Sequence, residues 1–146
     1  MIVATLTATQ RRAIVTTARR WVGTPYSNRY VVGWHDLEQQ PTAFDSATFV
    51  CRVAIEALDH VPRAYVPSAT WLLLSLVAVD APQLGDVVAV HHEAWHVMIY
   101  AGGGAVVGAC ELAGEVAIVP FDRLRHRARF DGEPAYRALV LKAPPT

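Results

Sequence analysis

The chain has 146 residues, 53% hydrophobic and 18% charged, with 13 basic and 13 acidic side chains that cancel. That length supports one domain with one core, expected over 1–146, and the composition excludes a disordered chain. The neutral balance gives no bulk attraction to nucleic acid or to an acidic membrane surface.

Two cysteines, Cys51 and Cys110, make no disulfide framework. Residues 1–6 lack the basic and apolar regions of a Sec signal. The longest apolar run, 71–79, falls far short of the roughly 20 residues a membrane span needs. The expectation is a chain without a membrane span, cytoplasmic when made, that reaches any outside site of action by a non-Sec route.

In chain order, Thr7-Ala8-Thr9-Gln10 fits a capping box. Ile14, Val15, Ala18, Trp21 and Val22 then share one face, with Arg11, Arg12, Arg19 and Arg20 opposite, so an amphipathic helix ending at Gly23 is expected. A long loop over 24–44 follows, punctuated by Pro25, Gly33 and Pro41 and carrying Tyr26, Tyr30, Trp34 and His35. Loops this long in a small domain are usually functional.

Asp45 is a good N-cap, and Phe49, Val50, Val53, Ala54 and Ala57 have the spacing of one buried face, so a second helix is expected over 46–58. It places Ser46 on its first turn, at the positive end of the helix dipole and among unpaired backbone N–H groups. Ser68 caps a short apolar helix expected over 69–77.

After a turn at Pro82-Gln83-Leu84-Gly85-Asp86 the period becomes that of strands, expected over 87–90, 97–101, 105–109, 115–119 and 136–141. Gly102-Gly103-Gly104 makes a hairpin turn, and 120–124 a helical turn. Helices first and a meandering antiparallel sheet after is an α+β order.

His96 opens a strand and shares a face with Met98 and Tyr100. It reads either as a base facing the Ser46 helix start or as a rim histidine packed on Trp95. His92-Glu93-Ala94-Trp95-His96 spells a zinc motif, but that motif works only on a helix, and strand-like runs flank it here. It is read as a hairpin loop, with no metal and no cofactor. Arg123, Arg125, Arg127 and Arg129 alternate with other residues and read as a solvated loop.

Four motifs then line up: Gly23-Thr24-Pro25-Tyr26; Phe44-Asp45-Ser46-Ala47-Thr48-Phe49-Val50; Leu84-Gly85-Asp86-Val87-Val88; and His96-Val97-Met98-Ile99-Tyr100-Ala101-Gly102. In this order and spacing the chain resembles the NlpC-type cell-wall peptidases, papain-like cysteine peptidases of bacteria. The resemblance implies a papain-like fold of N-terminal helices packed on a central antiparallel sheet. It also implies hydrolysis of peptide bridges in peptidoglycan, typically beside D-glutamate.

By position, Ser46 stands where the family has its nucleophilic cysteine and His96 where it has its base. Tyr26 matches a tyrosine near the oxyanion, and Asp45 an acid that anchors the substrate's amino end. Trp34 and Trp95 are expected to line the substrate site beside Asp45 and Ala47. A peptide or peptidoglycan fragment is the implied substrate, with an immunity or delivery protein as a partner if the chain is an exported antibacterial effector.

Three positions depart from the family pattern. Ser46 replaces the thiol, and a helix N-terminus does too little for a hydroxyl. The chain then reads as an inactivated Cys→Ser form of a cysteine peptidase or amidase. The alternatives are a non-catalytic pseudoenzyme binding a peptide or glycopeptide, and a zinc hydrolase using the His92–His96 motif. Gly108 stands where the family has a polar group that orients the base; Cys110, two residues on, is either that orienter or a buried structural cysteine. Ala47 stands where the family often has a serine that bonds the substrate.

Overall fold

In a computed structural model the chain is described at residues 6–29, 31, 33–59, 68–70, 72, 76–127, 129–130, 133–134 and 136–140. At 77, 78, 92, 125–127 and from 129 onward only the backbone is described. Two capped helices come first. Helix α1 spans Ala8–Arg20, and α2 spans Ser46–Leu58.

The Thr7 hydroxyl accepts from Gln10 N at 3.1 Å, and Gln10 Oε1 accepts from Thr7 N at 2.8 Å. This reciprocal cap satisfies two of the donors that a helix start leaves open. Helix α2 ends at Asp59, which takes a left-handed φ of 51°, a conformation that Asp tolerates better than most residues.

Strands β1 Val77–Val79, β2 Val87–His92, β3 Ala94–Gly102, β4 Ala105–Cys110, β5 Glu115–Pro120 and β8 Tyr136–Val140 form one sheet, ordered β1-β8-β2-β3-β4-β5. Among the described residues its strands pair antiparallel, and β2 to β5 form the expected meander. Helix α3, Phe121–Arg127, follows β5; β6 Arg129–Phe130 and β7 Glu133–Pro134 make a separate two-stranded ribbon.

Two expectations change. The helix expected to reach residue 77 does not: helical residues are described at 69, 70 and 72, and Val77–Val79 pairs with β8 as an edge strand. A β-branched Val-Ala-Val run gains more from a ladder partner than from another helical turn. The arginine run is no loop either: Arg123 to Arg127 lie in α3 and Arg129 in β6, with Arg123 exposed. Expectations for Tyr30, Trp71 and Leu141 fall outside the described residues.

The sheet has two unequal faces. Val87, Ala89, Val97, Ile99, Val107 and Val116 face the larger core with Ile14 and Ala18 of α1 and Phe49, Val50 and Val53 of α2. Val88, Val90, Met98 and Val106 face a smaller cluster closed by Phe121. Strand alternation fixes this division, and it puts His96 on the side of Met98.

The Leu84-Gly85-Asp86 turn joins α1 to the sheet. Asp86 is buried and accepts from Arg11 Nη1 at 2.7 Å, while Arg11 Nη1 also donates to Leu84 O at 2.9 Å. Gly85 has φ 85°, and a Cβ there would lie 3.1 Å from Arg11 O, so the turn needs both glycine's freedom and its small size. The Gly-Asp motif is therefore an anchor for α1.

Candidate active site

The site starts from the cap of α2. Thr48 N donates to Asp45 Oδ1 at 2.8 Å, Thr48 Oγ1 donates to the same oxygen at 2.6 Å, and Asp45 N donates to Thr48 Oγ1 at 3.1 Å. This holds the chain rigidly where it enters the helix, so Ser46 has a defined position on the first turn. Ser46 is 7% exposed, and among the described residues its hydroxyl makes no hydrogen bond.

The Gly23–Tyr26 motif arrives through the backbone. Gly23 N donates to Val116 O, Val116 N to Thr24 O, Tyr26 N to Gly114 O, and Phe44 N to Pro25 O. Tyr26 is thereby strapped between the β4–β5 turn and the residue preceding Asp45. Burial, followed by the negative charges around Glu111, Asp45 and Cys110, raises the Tyr26 phenol above its usual value. The group stays an O–H donor through the neutral range.

These residues meet in a cleft of about 210 Å³ lined by Tyr26, Asn28, Asp45, Ser46, Ala47, Ser68, Ala69, Trp95 and His96. Six sequence-expected positions thus come together: Tyr26, Asp45, Ser46, Ala47, Trp95 and His96. His96 also borders a second, larger groove of about 380 Å³ on the far face of the sheet. No hydrogen bond joins Ser46 to His96 among the described residues.

Two expected site residues do not line this cleft. Trp34 is 3% exposed and belongs to the core, because an indole placed in the 24–44 loop has more area to bury than a small cleft can cover. Cys110 lines the larger groove instead of the Ser46 cleft. The Ile99↔Val107 register, continued along the strands, sets Cys110 across from His96. Gly108 has a packing reason for being glycine: a Cβ there would fall 2.6 Å from Met98 Cγ.

Cys51 is fully buried, and desolvation, then the charge of Asp45, pushes its thiol up from 9.0 to about 12. It cannot serve as a nucleophile near neutral pH. The zinc motif sits on the β2–β3 hairpin, with His92 paired to Ala94 and Glu93 at φ 64°, so His92 and His96 do not occupy successive turns of a helix. Among the described residues no group of His, Cys, Asp or Glu side chains could hold a metal ion, and no helix is long and apolar enough to cross a membrane.

Sequence reasoning missed Asn28, Ser68 and Ala69 as cleft residues; Ser68 carried a visible signal, but only as a helix cap. It also missed Arg52. This side chain is 1% exposed and donates to the backbone carbonyls of Gly33, Trp34, Asp36 and Gln39, the last two at 2.8 and 3.0 Å. Its Nε lies 3.4 Å from Glu56 Oε1, and Glu56 Oε2 accepts from Trp21 Nε1 at 2.8 Å. One cation on α2 thus secures the 24–44 loop that carries Tyr26.

No family model matches the sequence, and no relative is found among curated proteins. Solved structures do match. The chain is similar to NlpC1 from Trichomonas vaginalis, with a TM-score of 0.67 and 13% identity over 92% of this chain and 45% of that one, so it spans less than half of NlpC1. It is similar to the NlpC/p60 domain of the peptidoglycan hydrolase SagA, with a TM-score of 0.57 and 21% identity over 88% and 97%. It is also similar to RipD from Mycobacterium tuberculosis, a non-catalytic NlpC/p60 domain protein adapted to peptidoglycan binding, with a TM-score of 0.58 and 18% identity over 90% and 96%. At these identities the likeness is one of architecture: the helix cap, the Gly-Asp anchor and the histidine strand occur together in a chain that has the papain-like NlpC/p60 fold.

Proposed function

We propose that the cleft is an NlpC-type site for a peptide of the bacterial cell wall, and that its hydrolytic form carries a thiol at position 46. The observation that supports this is the meeting of Ser46, on the first turn of α2, with His96, Tyr26 and Asp45 around one cleft. A thiolate there would attack the peptide carbonyl carbon, with the position-46 backbone N–H and the Tyr26 O–H facing the oxygen that becomes negative. His96 would hand its proton to the departing amine, and water would then release the acyl group.

Asp45 Oδ1 is taken by Thr48, and Asp45 borders the cleft, where its other oxygen can meet the substrate's ammonium group. With serine in place, the dipole of α2 is too weak a help for so high a pKa, and no hydrogen bond to His96 prepares the proton transfer. The chain as it stands binds peptide without cutting it. Ser46→Cys should give measurable amine release from cell-wall stem peptides, and His96→Ala in the same background should abolish it. A Ser46→Cys protein that still binds such a peptide yet shows no turnover would leave the pure binding reading, which the missing Ser46–His96 bond favours.

A further inference from the structure

His96 borders two cavities, and only the smaller one holds Ser46. The larger, about 380 Å³, is of small-molecule size, on a scale of roughly 300–1,000 Å³. It is lined by Val90 and Met98, on the sheet face away from α2, and by Ala109, Leu112 and Leu124. Leu112, in the β4–β5 turn, is 74% exposed and adds apolar surface to the groove's side. The charged side chains among the described lining residues, apart from His96, are Glu93 and Glu111, both acids. Such a surface rewards methylene groups and repels a carboxylate.

Resting on the peptide-site reading above, we propose that this groove is the second half of the same site. It would receive the part of the substrate beyond the scissile bond, and that part is an aliphatic group without a carboxylate. The reason is continuity. His96 lines both cavities, so a ligand whose carbonyl lies between Ser46 and His96 and that runs on past the imidazole enters the groove. The Gly108–Met98 contact keeps Met98 in the lining, since any side chain at 108 would push Met98 aside.

The test is calorimetric binding to the unaltered chain. Three probes share an N-acyl alanine head: the plain amide, the n-hexylamide and the 5-carboxypentylamide. The hexylamide should bind more tightly than the plain amide by about fourfold for each methylene covered, and the carboxypentylamide should lose most of that gain. Leu112→Glu should remove the gain, and Ile118→Glu, an exposed position on β5 outside the groove, should keep it. The plain amide and a cell-wall stem peptide should compete with the hexylamide.

Equal binding of the three probes overturns the aliphatic subsite and leaves the peptide site standing. Leu112-dependent hexylamide binding without competition by the stem peptide makes the groove a separate site and overturns the continuity. Binding of none of the probes, or of the stem peptide, overturns both proposals.

Discussion

Ser46 and Arg52 lie six positions apart on α2, and both are polar side chains taken almost wholly out of water. Arg52 gives Nη1 and Nη2 to four carbonyls of the 24–44 loop, and its Nε, which makes no hydrogen bond, is held by the charge of Glu56 at 3.4 Å. Ser46 has no hydrogen-bond partner among the described residues and borders a cleft. A buried polar group normally has its partners within the fold. Where it has them, as at Arg52, the group is structural; where it lacks them beside a cavity, as at Ser46, a ligand can supply them.

Four substitutions test that contrast. The largest effect is expected at Arg52. Arg52→Ala removes the loop's donors and leaves a cavity, and should cost about 3–5 kcal/mol in urea unfolding; a loss under about 1 kcal/mol would mean that the loop holds itself.

Next is Cys51, buried one residue before Arg52. Its thiol holds its proton more tightly in the folded chain, so stability should be unaffected below pH 9 and fall between 9 and about 12. The slope should be about 1.4 kcal/mol per pH unit. Comparing alkaline unfolding of Cys51→Ala with the parent chain isolates that slope, and equal slopes would refute the buried-thiol account.

Asp45→Ala deletes the acceptor for Thr48 and should cost about 1 kcal/mol, read as a shift in the urea midpoint; no shift would mean that α2 needs no cap. Smallest is Ser46→Ala, which removes a hydroxyl that nothing in the described fold uses. It should change stability by about 0.5 kcal/mol or less, while weakening peptide binding in the same preparation. A larger stability loss would show that Ser46 has a structural partner and would end the contrast with Arg52.

Much of the site was legible in the chain because it rests on local rules. Asp45 followed by Thr48 is a cap within four residues, and Leu84-Gly85-Asp86 is a turn within three. The aromatics of the loop were less legible: Trp34 and Tyr26 look equally available in sequence, yet one is core and the other lines the cleft. That choice depends on Arg52, whose partners lie 13 to 19 residues away, and on the β4–β5 turn that straps Tyr26. Cys110 was tied to His96 by strand alternation, but which cavity it lines depends on the cross-strand register.

Local residue patterns specify the two helix starts, the switch from helical to strand period, the meander from β2 to β5 and the order of the four motifs, because caps, turns and periodicity act over a few residues. Long-range packing is what pairs Val77–Val79 with β8, sets a buried arginine to hold the long loop, and stands His96 between two cavities. Each of these joins segments far apart in the chain. Their energies come from packing and from satisfying buried polar groups, which no local stretch of sequence encodes.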